Sequence, residues 1–129
     1  MPQFYTTPEA KATGLPFSLA THVGDVLYLS GAMGNIPGKM ALAEGGLEAE
    51  TKQMFANIEA VLKANGLGLG DVFKCTVMLA DMKQWPAFNK IYMQHFDPDR
   101  LPTRSAFGAN GLAMGGAVEM ECWAYKPRA

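Results

Sequence analysis

Two residues in the last quarter of the chain have side chains that could do chemistry together. Arg104 and Glu121 lie within Leu101–Lys126, LPTRSAFGANGLAMGGAVEMECWAYK. A guanidinium fork matches a carboxylate or phosphate, and a glutamate can accept a proton or hold a water. Strand-forming runs at Thr103–Ala109 and Ala117–Lys126 flank the Gly-rich stretch Asn110–Gly116, so an antiparallel hairpin is predicted. A symmetric loop would set Arg104 opposite Glu121. Period-2 alternation puts Val118, Met120, Cys122 and Ala124 on one face and Glu119, Glu121, Trp123 and Tyr125 on the other. Two carboxylates beside two large aromatics suit a binding site or a subunit contact. The competing reading is a cross-strand ion pair that only holds register, contributing ~0–1 kcal/mol when exposed.

The rest of the sequence sets the frame for that pair. At 129 residues and 49% hydrophobic content, residues 1–129 form one domain long enough to bury a core without disulfides or metal. A net charge of −1 gives no general attraction to nucleic acid or anionic membrane, and neither is an expected partner. The first residues, Met1-Pro-Gln-Phe-Tyr-Thr-Thr, lack basic and apolar signal regions, and no apolar run approaches the ~18 residues of a spanning helix. A cytoplasmic protein is expected. Cys75 and Cys122 fall on apolar sides of predicted strands and read as buried free thiols. Two Cys and two His so scattered offer no zinc-ligand spacing.

The elements that must position the pair follow in order. Pro2, Pro8, Gly14 and Pro16 punctuate an irregular arm with a short strand at Gln3–Thr6. Phe17–Val23, Gly24-Asp25 and Val26–Ser30 read as a hairpin, with His22 at its tip as a solvated residue. Gly31–Gly46 is a loop whose Gly34-Asn-Ile-Pro-Gly38-Lys39 lacks Walker A spacing, and Gly66-Leu-Gly68-Leu-Gly70 follows a helix instead of opening one. Leu47–Asn65 is an amphipathic helix with its stripe on Leu47, Met54, Ile58, Val61 and Leu62. A strand covers Asp71–Ala80, with Phe73, Cys75, Val77 and Leu79 toward the core. A second helix covers Lys83–Phe96, capped by Asp81 or Gln84, and buries Trp85, Phe88, Tyr92 and Phe96. His95 near its end reads as a surface residue, and Asn89 sits at the flank of the aromatic stripe, within reach of a site at the sheet edge. The predicted class is α+β, a mixed β-sheet with two helices packed on one face. The other face needs a cover, and a homo-oligomer with sites between subunits supplies one.

Gly14-Leu-Pro-Phe-Ser18, Leu29-Ser-Gly31, Val72–Asp81, Phe88-Asn89 with Tyr92, Pro102-Thr-Arg-Ser105 and Val118-Glu-Met-Glu121 together resemble the RidA family, also called YjgF-type proteins or reactive intermediate deaminases. The similarity spans almost the whole chain. It implies a chorismate-mutase-like subunit and a homotrimer with a barrel-like centre and three clefts between subunits. The activity it implies is hydrolysis of enamines or 2-imino acids to 2-keto acids and ammonia, with no cofactor and no metal. On this resemblance Arg104 clamps the substrate carboxylate, with charge-assisted hydrogen bonds of roughly 1.5–3 kcal/mol each. Glu121 holds the attacking water, a role worth ~10²–10⁴ in rate. Ser30, backbone groups of Gly31 and Ala106, and the side chains of Phe17 and Asn89 complete the substrate-binding set. Two positions depart from the family. Phe17 stands where much of the family carries Tyr, which removes a hydroxyl and bears on selectivity. Ala106 replaces a frequent Cys, a mild change if only its backbone is used.

Two other functions compete. A noncatalytic small-carboxylate-binding or chaperone-like trimer would keep the Arg104 cleft and lack turnover. An endoribonuclease would need basic or His-pair features, and Lys and Arg here are spread singly.

Overall fold

The computed structural model describes residues 1–128. Nine elements follow in chain order: β1 (Gln3–Tyr5), α1 (Pro8–Ala12), β2 (Ala20–Val23), β3 (Val26–Leu29), α2 (Gly46–Ala64), β4 (Val72–Leu79), α3 (Trp85–Tyr92), β5 (Thr103–Gly108) and β6 (Val118–Tyr125). The six strands form one mixed sheet in the order β1-β2-β3-β6-β4-β5. Helices α2 and α3 cover one face, and Met54, Phe55, Ile58, Leu62, Phe88 and Tyr92 join Leu27, Cys75, Val77, Met120 and Cys122 in a single buried core. None of the described helices is long and apolar enough to cross a membrane.

The local signals produce the local elements. Gly24, at φ +62, makes the tight turn between β2 and β3. Helix α2 buries Leu47, Met54, Phe55, Ile58 and Leu62, and ends where Asn65 donates its backbone N–H to Leu62 and Gly66 takes φ +77. Thr7 caps the short α1, whose first turn holds Pro8. In the predicted second helix the chain first makes a 3₁₀ turn, Met82–Gln84, capped by the Asp81 carboxylate on the Lys83 N–H. The α-helical part then stops at Tyr92, short of the expected Phe96.

The expected hairpin between Thr103–Ala109 and Ala117–Lys126 does not form. Strand β5 pairs in parallel with β4, and β6 pairs antiparallel with the opposite edge of β4. The Gly-rich connection straddles the end of β4: Ala109 donates to the Leu79 carbonyl, and Ala80 donates to that of Ala117. Arg104 is therefore in register with Cys75, and Glu121 with Thr76. Adjacent β4 positions face opposite ways, so Arg104 is on the helix side of the sheet and Glu121 on the open side. A register shift between Val72 and Lys74 also reverses one assignment. Val72 is buried, while Phe73 is 40% exposed and packs toward Trp123 on the open side.

Helix α2 also fixes the loop after β3. Asn57 donates to the carbonyls of Met33 and Asn35, and any Cβ at Gly34 would overlap the backbone of Glu50. Buried Glu50 accepts the N–H of Ala117, at 2.8 Å, just before β6. One helix thereby holds both the Gly31 segment and the entry to β6. Glu50→Ala leaves a part-buried N–H without its partner, and a loss of about 1–3 kcal/mol in urea unfolding is expected. Glu50→Gln keeps an acceptor and should recover most of it.

Candidate functional site

Arg104 sits on edge strand β5, where α3 crosses the sheet. Its Nη2 donates to Asn89 Oδ1 at 2.7 Å. The guanidinium carbon is 4.7 Å from the Tyr92 ring centroid, 5.8 Å from that of Trp85 and 5.9 Å from that of Phe88. Aromatic faces attract a cation, so the side chain is held by three rings and one neutral amide. Among the described residues Arg104 has no carboxylate partner. A guanidinium carries five N–H donors, which leaves it able to grip an incoming anion.

Beneath this cation the chemistry is quiet. Tyr92 lies with its hydroxyl buried and without a hydrogen-bond partner. Burial pushes its phenol well above the ordinary range, so it stays neutral. The Cys75 and Cys122 sulfurs are 3.6 Å apart as free, fully buried thiols. The hydrogen bond to Cys75, reinforced by burial, raises the Cys122 thiol far above its usual value. These are the buried free thiols expected from the strand pattern.

A cleft of about 360 Å³ opens beside Arg104 and Asn89, walled by Trp85, Tyr92, Met93, Leu101 and Pro102. Phe88, Tyr92 and Phe96 are buried as expected, but Trp85 is 42% exposed and faces this cleft. His95 also departs from expectation: its ring stacks on Phe55, centroids 3.9 Å apart, and its Nδ1 lies 3.0 Å from the Ile91 carbonyl. It is part of the helix-side packing, not a surface residue.

The remaining candidates gather elsewhere. Ser30 follows β3, and its hydroxyl donates to the Ser18 carbonyl at 2.6 Å, which places it beside exposed Phe17. Next to it, Ala32 bridges Met120 of β6. A Cβ at Gly31 would overlap the Glu119 carboxylate, so a larger residue there would push that side chain aside. Glu119 and Glu121 share the open face, and burial together with the Glu121 charge raises the Glu119 carboxyl above its ordinary value. Glu119 belongs to this cluster though sequence reasoning assigned it no role. Its i,i+2 spacing from Glu121 was the available signal.

The seven sequence candidates thus fall into two groups. Arg104, Asn89 and Ala106 surround the β5 edge. Phe17, Ser30, Gly31 and Glu121 lie along β3 and β6. Ala32, Met120, Val77 and Ala106 form one row across the sheet, three strand spacings or about 14 Å from end to end. Glu121, on β6, is two strand spacings from β5, about 10 Å, and the guanidinium and the Glu121 carboxylate are on opposite faces. On one chain the two groups of candidates therefore do not meet.

An α+β domain with an unpaired arginine at a sheet edge and a glutamate-bearing open face is the class that this geometry defines. The chain belongs to the Endoribonuclease L-PSP family, the YjgF/RidA proteins, whose pattern matches residues 7–126. It is 39% identical over 116 residues to the 2-iminobutanoate/2-iminopropanoate deaminase of Capra hircus, covering 90% of this chain and 84% of that one. The Homo sapiens protein of the same name is 38% identical over 114 residues, covering 87% and 82%. Among solved structures, RidA from an Antarctic Psychrobacter superposes with a TM-score of 0.86 at 35% identity, covering 95% of this chain and 98% of that one. The yeast protein YEO7 gives 0.87 at 28% identity, covering 98% and 99%.

The raised Glu119 carboxyl makes a pH-dependent prediction. A proton held more tightly in the folded state than in the unfolded one favours folding only while it stays bound. Stability is therefore lost as pH rises from the ordinary carboxylate range through the folded value. Glu119→Gln should be more stable than wild type at about pH 7 and equal to it below about pH 4, where both forms are neutral. Thermal melts across that range check the sign.

Proposed function

We propose that this chain is a hydrolytic deaminase of enamines and 2-imino acids, acting in the cytoplasm on reactive intermediates such as pyridoxal-phosphate enzymes release. The observation that carries the reading is Arg104: a part-buried guanidinium, oriented by a neutral amide and without a carboxylate partner among the described residues. A 2-imino acid brings the missing carboxylate. The names of the relatives support the same substrate class.

In the proposed reaction Arg104 grips the carboxylate with two parallel N–H donors, and that fixes the pose of the adjacent C=N carbon. Glu121 accepts a proton from a water as its oxygen bonds to that carbon, giving a carbinolamine. That proton passes to nitrogen; the carbinol O–H proton then follows it by way of Glu121 as the C=O forms and the C–N bond breaks, so that both water protons leave in ammonia and a 2-keto acid remains. Nothing is oxidised or reduced. Backbone groups of Ser30, Gly31 and Ala106 cradle the substrate, and Phe17 covers it without offering a hydroxyl.

Because the two groups lie about 10–14 Å apart on one chain, with Arg104 and Glu121 on opposite faces of the sheet, the complete site is proposed to form between copies. Arg104, Asn89 and Ala106 of one copy meet Phe17, Ser30, Gly31 and Glu121 of the next. Two different surfaces meeting head to tail close into a ring, read here as a trimer of chorismate-mutase-like subunits whose open sheet faces line a barrel-like centre.

A ribonuclease reading fits these side chains less well. His22 and His95 each have a ring nitrogen 3.0 Å from a backbone carbonyl, at Lys126 and Ile91, and lie in different parts of the fold. RNA cleavage that survives Arg104→Ala would point to a different site.

The test follows ammonia and keto-acid release from imines generated in situ by an amino-acid oxidase. Wild type should accelerate hydrolysis, and Arg104→Ala should lose about 10²–10⁴ in kcat/KM, the worth of two charge-assisted bonds. Arg104→Lys should not restore it. Neither Arg104→Ala nor Glu121→Gln should be active alone, but trimers refolded from their mixture should recover activity, since each then supplies the half-site the other lacks. Failure of the mixture would exclude a site shared between copies. Carboxylate binding by a folded wild type with no turnover would leave a noncatalytic binding protein.

A further inference from the structure

We propose that the Arg104 cleft selects 2-imino acids with bulky apolar side chains, aromatic or branched, over the three- and four-carbon substrates named for the relatives. The inference rests on the deaminase reading and deepens it.

The cleft combines one cation with an apolar wall. Besides Arg104 and Asn89, every lining residue is large and apolar or aromatic, or is proline. Trp85 is 42% exposed, Met93 44% and Leu101 47%. All three line the same cleft, so in the single chain their exposure is concentrated at one place and not scattered. Asn89 spends its carbonyl oxygen on Arg104, so the guanidinium is the single charged group that this side of the cleft contributes. The ligand with matching chemistry has one anionic end and an apolar body extending from it.

Size points the same way. The cleft's 360 Å³ falls in the usual range of about 300–1,000 Å³ for small-molecule sites and equals the liquid volume of roughly a dozen waters. With its carboxylate on Arg104, a methyl- or ethyl-bearing imine would leave the indole of Trp85 and the rim at Met93 and Leu101 without contact from the substrate. An isobutyl or benzyl side chain would cover them. The unbranched thioether of Met93 can repack around either shape. In an apolar pocket each added methylene discriminates by roughly 10–200-fold at most, so several should give a preference well above experimental scatter.

The experiment compares kcat/KM of the intact wild-type protein on imines generated from alanine, 2-aminobutyrate, leucine and phenylalanine. The leucine- and phenylalanine-derived imines should be hydrolysed at least about tenfold more efficiently than the alanine-derived one. Trp85→Ala and Leu101→Ala should each lower that bulky-to-small ratio by about fivefold or more. Leu101 lies outside every helix and strand, which keeps the test available if Trp85→Ala folds poorly. A preference for the small imines, or a ratio unmoved in both variants, would overturn the inference, as would variants that only dissociate the oligomer. Calorimetric binding of phenylpyruvate against pyruvate separates the two readings. Tighter phenylpyruvate binding with no turnover of any imine would sink the deaminase and keep the selectivity. Equal or absent binding of both would remove the selectivity.

Discussion

Strand β5 lies parallel to β4, and a parallel pair cannot be joined by a tight turn. The chain must cross the sheet between them, and α3 is that crossing. Almost everything at the Arg104 cleft follows from this one requirement. The crossover sets α3 beside the edge strand it delivers, so Asn89, Trp85, Phe88 and Tyr92 arrive next to Arg104 with their relative positions fixed by the core. The edge position then matters as much as the helix. Arg104 is flanked by a neighbouring strand on one side only, which leaves the cleft open beside it. An arginine on β6 or β4 would have been roofed by helices and would need a buried counter-charge.

The same strand order separates the two chemical roles. Placing β4 between β5 and β6 puts the guanidinium and the Glu121 carboxylate on opposite faces of one sheet. Were they adjacent, as a hairpin would make them, they would neutralise each other and present no net charge to a substrate. Keeping them apart leaves each available. On the proposed mechanism the isolated chain is then incomplete, and assembly becomes a condition of the activity. Helix α2 contributes at a distance, because Glu50 and Asn57 hold the Gly31 segment and the start of β6 in place.

What the sequence revealed depended on the range of the interaction concerned. The α2 stripe, the Gly24 turn and the inward face of β6 were legible because periodicity and turn chemistry are local. The candidate residues were legible as types and motifs: Arg104, Asn89 and Glu121 stood out before any pairing was known. Their mutual placement was not. Asn110–Gly116 has the composition of a hairpin loop, and nothing within it reports that β4 will insert between the strands it joins. That order is decided by which strands bury Cys75, Val77 and Leu79 most completely under α2 and α3, a property of the whole chain. Phe73 was misplaced for a related reason: a bulge shifts the alternation by one residue and cannot be seen in a pattern that assumes a strict period of two. Trp85 was assigned to the core because a helical stripe does not say where the neighbouring sheet ends.

The partner chosen for Arg104 completes the argument. An acidic residue at position 89 would hold the guanidinium more strongly than an amide does, since charge-assisted bonds are roughly twice as strong as neutral ones. It would also cancel the charge on which anion binding depends. Asn89 supplies orientation without neutralisation, and the Tyr92, Trp85 and Phe88 rings add attraction that is spread over their faces. Burial keeps the Tyr92 phenol protonated, so the ring below the guanidinium carries no competing negative charge. The arginine is thus restrained by groups that leave its charge intact, at the modest desolvation cost of a side chain still partly exposed. On the proposed reading a carboxylate entering the cleft recovers that cost and meets a fork already aimed, and positioning of this kind raises an enzyme's rate.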